Sequence, residues 1–409
     1  MIDNKIQLLE QQNQFKEIQL NSLLEITRAI NENGPLEHLI RIFSFILKEQ
    51  LGFQKVLFIQ RQETWNVLLK VGFKKRIPSE EIPKTLERFR DITMLQSSNS
   101  ELLNEFQAIV PVWHEEKPLA YILISKNTSQ TNFELDTLNL PFVQTISNIV
   151  AVAIENKGLA KKSLVQERIN KELEVAREMQ KLLFPADLPR NKKMDISARY
   201  IPRHAIGGDY YDFIPLGDEE YIMCIADVSG KGISAALLMA NFQATIRTVL
   251  KYQKFELPFL IEELNKKVVR ATRGEKFITF FLAHYNGFTH ELKYVNAGHN
   301  HPILYQDKIV TMLSTGCTGL GMLDEIPSIK VGRLKIEPNS TLILYTDGIV
   351  ELENEQGEQF GIEQLIQNIE MYAELQMEDM NNILFSKLEL WKGNQKYDDD
   401  TAIFSCKFF

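Results

Sequence analysis

Four acidic segments in the second half of the chain carry residue types that could bind divalent metal ions. They are IGGDYYD with Asp209 and Asp212, CIADVSGKG with Asp227, LYTDGIVE with Asp347, and YDDDT with Asp398, Asp399 and Asp400. We expect each segment to end an apolar strand. An ionised carboxylate at a buried strand end is costly unless it is paired or bound to a metal. No matching arginine cluster accompanies these motifs, so they predict a cation site.

Ligand chemistry narrows the metal and the reaction. Aspartate oxygens without an accompanying set of His or Cys favour Mg²⁺ or Mn²⁺ over Zn²⁺ or Cu²⁺. Four carboxylates, a backbone oxygen and waters could hold two ions about 3.5–4 Å apart, which would activate a water and position a phosphoryl group for in-line attack. The neighbouring glycines would let the backbone approach the ions. Each motif alone is weak, but together they predict a two-metal site for phosphoryl chemistry.

Length and composition limit the class of protein. With 409 residues, the chain is expected to form two or more domains. Its net charge of -8 argues against a nucleic-acid binder that relies on bulk positive charge. The three cysteines are scattered, which indicates a reducing compartment. The N-terminus has no apolar signal core, and no run approaches the roughly 20 apolar residues of a membrane helix. We therefore expect a cytoplasmic protein without a membrane or nucleic-acid partner.

The first 155 residues read as a small α/β domain behind a helix over residues 1–33. That helix has an interrupted heptad pattern, so it either packs on its own domain or forms a dimeric coiled coil. A helix over 36–53 and a closing helix over 140–156 enclose strands predicted at 55–62, 65–73, 107–113 and 118–126, with a hairpin turn at 114–118. This order, with the PVWHEEKPLAYILI hairpin, resembles a GAF domain. The resemblance implies a sensor domain, whose ligand is unknown. No cysteine in this region could attach a chromophore.

Residues 155–183 predict a charged helix that connects the two halves. Its apolar seam is weak, because polar residues such as Lys162 and Gln166 alternate with Ile169 and Leu173. The segment is therefore either a solvated helix or a marginal coiled coil with registers close in energy. Pro185 would end it. Both helical segments together predict a homodimer.

From about residue 190, strands and helices come in blocks, which indicates an α+β fold with mainly antiparallel sheets. Strands are predicted at 195–202, 221–228, 278–286, 291–299, 302–306, 340–348 and 401–409. Helices are predicted at 234–253, 259–273, 361–373 and 377–391.

The order of the motifs AREMQKLLFP, IGGDYYDF, ADVSGKGISAALLMA, NAGHNHPIL, LYTDGIVE with GEQFG, and DDDTAIF resembles the SpoIIE/RsbU branch of the PPM family of protein phosphatases. The resemblance covers about residues 175–409. It implies a β-sandwich flanked by helices, with two Mn²⁺ or Mg²⁺ ions at one end. The predicted organisation is an N-terminal helix (1–20), a GAF-like domain (21–155), a helical linker with a regulatory helix (156–185) and a phosphatase domain (186–409).

The resemblance also assigns metal ligands in this chain. It implies that Asp227 bridges both ions and that the remaining protein ligands are Asp209, the Val228 carbonyl, Asp347, and Asp398 or the adjacent Asp399. Asp212 is expected to support the turn instead.

Some expected functional groups have no clear candidate. Ser229 and Lys231 stand where eukaryotic members carry a histidine, so the general acid is unassigned. His299 in NAGHNHP is interpreted as a packing or capping residue rather than a catalytic one. Arg203 is a candidate for binding the substrate phosphate.

The resemblance implies a protein-serine/threonine phosphatase in which a metal-activated water attacks phosphoserine or phosphothreonine. The implied substrate is a phosphorylated STAS-domain anti-sigma-factor antagonist in a partner-switching pathway. VAREMQKLLFP matches the family's regulatory helix, which we expect the GAF-like domain to control. One alternative is a catalytically inactive scaffold. Another is a diguanylate cyclase suggested by GGD, but Tyr210 stands where that motif needs an acid.

Overall fold

Contacts along the chain divide it into two units, Met1–Glu167 and Arg168–Phe409. The computed structural model describes residues 2–61, 64–72, 81–95, 100, 102–114, 116–126, 139–217, 219–252 and 256–409. Five positions at the ends or turns of predicted elements lie outside these ranges: Met1, Gln62, Phe73, Glu115 and Gln253.

The first unit contains a five-stranded antiparallel sheet in the order β2-β1-β5-β4-β3. Its strands are β1 (Lys55–Arg61), β2 (Trp65–Val71), β3 (Thr93–Met94), β4 (Ala108–His114) and β5 (Lys117–Ser125). Its helices are α1 (Ile2–Asn31), α2 (Leu36–Phe45), which continues as a π-helical turn (Ile46–Gln50), and α3 (Glu81–Leu86). The four longer strands are those predicted from their β-branched and aromatic residues.

Alternation along β1 explains how both faces of this sheet are covered. Val56 and Phe58 lie in one apolar cluster with the helices, and Leu57 and Ile59 lie in another on the opposite face. The long helix α4 (Leu140–Lys181) begins in the first cluster. It continues as one helix through the predicted linker, where most side chains are exposed. The GAF likeness and the coiled coil stay predictions.

The second unit contains two sheets. The first has the order β13-β10-β9-β8-β7, with β14 also paired to β10, and the second has the order β12-β11-β15-β16-β6. The first sheet is built from β7 (Tyr210–Gly217), β8 (Glu220–Val228), β9 (Ile278–Asn286), β10 (Glu291–Ala297), β13 (Gly316–Cys317) and β14 (Gly332–Lys335). The second is built from β6 (Met194–Ile201), β11 (Ile303–Gln306), β12 (Ile309–Met312), β15 (Thr341–Tyr345) and β16 (Thr401–Phe408).

The two sheets form a sandwich with helices on both outer faces. Side chains such as Phe281 of β9 and Phe404 of β16 lie in one shared cluster between the sheets. Helices α5 (Ile233–Tyr252) and α6 (Leu257–Thr272) pack in a cluster with the first sheet. Helices α7 (Asp347–Val350), α8 (Gly361–Tyr372) and α9 (Met377–Lys392) pack in a cluster with the second. The predicted α+β architecture of this domain is confirmed.

Helix α5 corrects one expectation from the sequence. Its segment Ile233–Lys251 is, by length and composition alone, long and apolar enough to cross a membrane. The expectation that no run approaches this limit was therefore wrong. Met239, Phe242 and Ile246 are buried in the cluster between α5, α6 and the first sheet, which is the packing of a core helix.

Candidate metal centre

The four acidic segments meet at one edge of the sandwich. Asp227 is the penultimate residue of β8, and Asp347 begins α7 two residues after β15 ends. Asp209 and residues 398–400 instead precede β7 and β16, which corrects the expectation that all four segments end strands. Because β7 pairs antiparallel with β8, and β16 with β15, the start of one strand lies beside the end of its neighbour.

Burial and mutual repulsion perturb the carboxylates at this edge. Burial, followed by the charges of Asp227 and Asp400, raises the pKa of Asp209 well above its usual value. Burial, followed by Asp347 and Asp399, raises the pKa of Asp227 to about 7. Burial also raises the pKa of Asp347 to about 6, with a further contribution from the charge of Glu351. The site therefore holds more negative charge than the basic side chains around it compensate.

Two glycines allow this crowding. A Cβ atom at Gly207 would overlap the Tyr200 hydroxyl and the Asp400 carboxylate. A Cβ atom at Gly208 would lie 3.1 Å from the Val228 carbonyl oxygen, which places that carbonyl beside the residue preceding Asp209. Glycine at position 207 is therefore required by the close approach of Tyr200 and Asp400, while a side chain at position 208 would be a tight contact for Val228.

The donor atoms fit a hard divalent cation. The Oδ2 atom of Asp209 is buried and accepts no hydrogen bond from the residues that the structure describes, and a carboxylate oxygen in this position needs a proton or a cation. Within those described ranges, however, no three acidic, histidine or cysteine side chains converge closely enough to form a complete metal-binding set. The carboxylates would have to approach one another further to share an ion.

The three consecutive aspartates before β16 have different partners. Asp399 lies 2.7 Å from the ammonium of Lys231, and its charge contributes to the raised pKa of both Asp227 and Asp347. Asp398 offers its backbone carbonyl to Lys231 at 3.2 Å and to the Arg203 guanidinium. This environment favours Asp399 over Asp398 as the carboxylate nearest the other acids, whereas the resemblance placed Asp398 first.

Asp400 belongs to the fourth acidic segment, but its role at the site was not predicted from the sequence. Its Oδ2 accepts a hydrogen bond from the Gly208 N–H at 2.6 Å, and its Oδ1 accepts one from the Arg203 N–H at 2.8 Å. Asp400 therefore ties the loop before β16 to the loop that carries Asp209. Its position next to two predicted ligands was the only available signal.

Asp212 has a different role from the one expected. It is fully buried within β7 and accepts two hydrogen bonds of 2.7 Å from the Nε and Nη2 atoms of Arg247 in α5. The Tyr210 hydroxyl donates to the same carboxylate. Asp212 is not a metal-ligand candidate, as predicted, but it joins the strand to the helix rather than supporting the turn.

Gln180 connects the predicted regulatory helix to residues 206–209, which we call the metal loop because they carry the predicted ligand Asp209. Its Nε2 donates to the Gly207 carbonyl at 2.7 Å, and its Oε1 accepts from the Gly207 N–H at 3.2 Å. Both residues are buried. Gln180 lies in the segment 155–183, whose weak seam left a marginal coiled coil open, but here its amide is paired with the backbone two residues before Asp209.

His299 is a structural residue, as predicted. Its Nε2 lies 3.1 Å from the Tyr345 carbonyl, which can only accept, so this nitrogen carries the proton. Nδ1 then accepts from the Thr279 hydroxyl at 2.9 Å. Burial lowers the pKa of His299 to about 4. The neutral ring joins the end of β10 to β9 and β15, and its one N–H is already donated to the Tyr345 carbonyl.

Comparison with known proteins identifies the family. Residues 217–409 match the family model of stage II sporulation protein E, SpoIIE. The phosphoserine phosphatase RsbU of Bacillus subtilis (strain 168) is 32% identical over 250 residues, which are 58% of this chain and 71% of RsbU. The chain belongs to the SpoIIE/RsbU-type family of protein-serine/threonine phosphatases.

Other similar proteins agree with this SpoIIE/RsbU-type assignment. The phosphoserine phosphatase RsbP of Bacillus subtilis (strain 168) is 28% identical over 187 residues, which are 44% of this chain and 45% of RsbP. Protein IcfG of Synechocystis sp. (strain ATCC 27184 / PCC 6803 / Kazusa) is 28% identical over 268 residues, 58% of this chain and 42% of IcfG. The chain thus spans less than half the length of these two relatives. The solved SiaA-PP2C domain of Pseudomonas aeruginosa, with a TM-score of 0.54 and 19% identity, covers 60% of this chain and 99% of its own and has the same fold.

Proposed function

We propose that this chain is a metal-dependent phosphatase that hydrolyses phosphoserine or phosphothreonine in a partner protein. The observation that carries the proposal is the position of Asp209, Asp227 and Asp347 at one edge of the sandwich, with raised pKa values and an unpaired buried oxygen on Asp209. A site with this excess of carboxylate charge is suited to binding cations and, through them, a phosphate ester.

The residues that would hold the metal ions are Asp209, Asp227, the Val228 carbonyl, Asp347, and Asp398 or Asp399. When bound, two Mn²⁺ or Mg²⁺ ions supply an activated water nucleophile and neutralise charge on the phosphoryl oxygens. The protein contributes the positions of these oxygens: Gly207 and Gly208 let the loops approach, and Asp400 holds the loop of Asp209 against that of β16.

Two cations beside the carboxylates are suited to orient the phosphate. Arg203 and Lys231 line a cavity of about 320 Å³ together with Asp398, Asp399 and Glu351. Their hydrogen bonds to the Asp398 carbonyl hold both near the cavity. His299 is not available as the general acid, since both of its ring nitrogens are engaged and its pKa is low.

For the substrate, we propose a phosphorylated STAS-domain protein of a partner-switching pathway. The support is the similarity to RsbU, a phosphoserine phosphatase. The test is release of phosphate from the phosphorylated STAS proteins encoded in the same genome, with Mn²⁺ present. Dephosphorylation of one of them, in preference to an unrelated phosphoserine protein, is expected. Equal rates on all phosphoproteins would contradict this substrate class while leaving the phosphatase activity in place.

For regulation, we propose that the first unit acts on the metal loop through α4 and that the chain works as a homodimer. The support is that residues Leu140–Lys181 form one helix, whose last turn contains Gln180. Inserting Gly-Pro next to Ser163 interrupts this helix and should change the phosphatase activity or its regulation. Unchanged activity and unchanged regulation would contradict the proposed coupling.

Sedimentation of the full chain tests the homodimer. A sedimenting mass of two chains is expected, and a mass of one chain would contradict it.

A further inference from the structure

A second cavity of about 380 Å³ lies beside the last turn of α4 in the second unit. Phe184, Tyr200 and Tyr211 form its aromatic floor, with ring centroids 5.2 Å apart for Phe184 and Tyr200 and 4.8 Å apart for Phe184 and Tyr211. Phe184 and Tyr200 are partly exposed. The cavity therefore presents aromatic surface that a flat ring can cover.

The wall of this cavity is positively charged. Arg177 and Lys181 line it from α4, and Arg199 lines it from β6, where its guanidinium is held 4.3 Å above the Phe385 ring. Within the described part of the chain, none of the lining residues is acidic. Lys181 pairs with Glu178 at 2.8 Å, but both side chains are exposed, and such a pair is readily exchanged for another anion. In a protein of net charge -8, this is a local concentration of positive charge.

We propose that this cavity binds a small molecule that joins an aromatic ring to an anionic group, of the nucleoside-phosphate type. The ring would lie on Phe184 and Tyr200, and the phosphate would pair with Arg177 and Lys181. A volume of about 380 Å³ is in the range of ligand cavities of roughly 300–1,000 Å³. A concave aromatic floor favours such a ligand over the flat acidic surface of a protein.

The cavity is connected to the metal loop at two points. Gln180 lines it and also holds both backbone groups of Gly207. The Tyr200 ring lines it, while the Tyr200 hydroxyl occupies the position that a Cβ atom at Gly207 would take. A ligand in the cavity would join α4 to β6 and keep Gln180 against Gly207. This consequence for activity depends on the proposed phosphatase function, whereas the binding itself does not.

Binding is tested on the full chain with AMP as the probe, by isothermal titration calorimetry in EDTA and low salt. EDTA removes divalent ions, so that the phosphate of AMP cannot bind through a metal ion at the acidic edge of the sandwich. Adenosine, inorganic phosphate and poly-glutamate serve as competitors. We expect saturable binding of AMP, weaker binding of each half-molecule, and at least a tenfold loss of affinity in the double variant Arg177→Gln, Lys181→Gln.

The control variant is Lys192→Gln, which removes one exposed positive charge of the same unit outside the cavity. It should bind AMP like the unaltered chain. Because Arg177 and Lys181 are exposed, both variants should remain folded, which circular dichroism checks. As a second measurement, AMP should slow amide hydrogen exchange in residues 177–184.

Several results would overturn the proposal. They are the absence of AMP binding, binding that is unaffected by the double variant, and exchange in residues 177–184 that AMP does not slow. Competition by inorganic phosphate or poly-glutamate as strong as that by AMP would also overturn it, since the ring would then contribute nothing. If AMP binds as expected but does not change Mn²⁺-dependent hydrolysis, the link to the metal loop is wrong while the binding site stands.

Discussion

Replacing Gln180 by alanine should uncouple the last turn of α4 from the metal loop. The substitution removes two hydrogen bonds, of 2.7 and 3.2 Å, to the carbonyl and N–H of Gly207. Gly207 is buried, so both of its backbone groups lose their partners. A buried polar group without a partner costs about 1–3 kcal/mol. We expect the loop to move until the Gly207 N–H and carbonyl can form hydrogen bonds with water. Because Asp209 follows Gly207 by two residues, this movement would displace Asp209.

The expected loss of activity follows from this cost. If about 2–3 kcal/mol are lost from the positioning of Asp209, kcat falls by about 30- to 150-fold, since each 1.36 kcal/mol is a factor of ten. The assay is Mn²⁺-dependent hydrolysis of p-nitrophenyl phosphate, measured over a series of Mn²⁺ concentrations. The variant should also need more Mn²⁺ for half-maximal activity. Gln180→Glu keeps an acceptor for the Gly207 N–H but loses the donor to the Gly207 carbonyl. Its kcat should lie between that of the unaltered chain and that of Gln180→Ala.

Gln306→Ala is the matched control. The Oε1 atom of Gln306 also accepts two hydrogen bonds in the same unit, from the Glu337 N–H at 3.1 Å and the Ser340 hydroxyl at 2.9 Å, away from the acidic segments. This variant should lose stability but keep its kcat and its Mn²⁺ requirement. If Gln180→Ala behaves like Gln306→Ala, the helix does not position the metal loop and the reasoning fails.

Three further predictions concern the groups around the site. Asp212→Asn removes the charge of a buried carboxylate that pairs with the half-exposed Arg247, and it should lower the free energy of unfolding in urea by about 1–3 kcal/mol. The Mn²⁺ affinity should stay unchanged, and a large loss of affinity would make Asp212 a metal ligand. Without metal, Asp227 and Asp347 hold their protons more tightly in the folded than in the unfolded chain, because their folded pKa values are about 7 and about 6. Their contribution to stability is therefore complete below about pH 4 and is lost as the pH rises through 6 and 7. Thermal unfolding in EDTA should show Tm falling from pH 5 to pH 8, and Mn²⁺ should remove most of this fall. A Tm that does not change with pH in EDTA would contradict the proposed repulsion between the buried carboxylates. His299→Asn should lower the free energy of unfolding by about 1–3 kcal/mol, because the Thr279 hydroxyl and the Tyr345 carbonyl lose their partner. The shape of the pH–rate profile should stay unchanged, and a shifted profile would assign His299 a catalytic role.

Local patterns were enough to predict the strands that carry Asp227 and Asp347. In both cases an apolar, β-branched run precedes the acid, and the run is buried on both sides in the structure. Strand β7 was missed because Gly207, Gly208 and Asp209, which directly precede it, read as a turn. It is a strand because Tyr210 pairs with Ala226 of β8, and this pairing is not a local property of the sequence.

Short strands and long-range partners account for most of the other differences. Strands β12, β13 and β14 have two to four residues and are held by pairing with β11 or β10, so their own propensity is too small to predict them. The pair Asp212–Arg247 and the contact Gln180–Gly207 join residues 35 and 27 positions apart. Neither separation along the sequence corresponds to the short repeat by which residues of one helix or strand come to share a face. Only the fold brings these side chains together.

Phosphate release from a phosphoserine protein, measured as a function of Mn²⁺ with the unaltered chain and with Asp227→Asn, tests whether the acidic edge of the sandwich is the active site. We expect hydrolysis that requires a divalent ion and falls below detection in Asp227→Asn, while the circular dichroism spectrum of the variant stays that of the folded chain. Hydrolysis that persists in EDTA, or an Asp227→Asn variant as active as the unaltered chain, would contradict a metal-dependent reaction at the acidic edge of the sandwich.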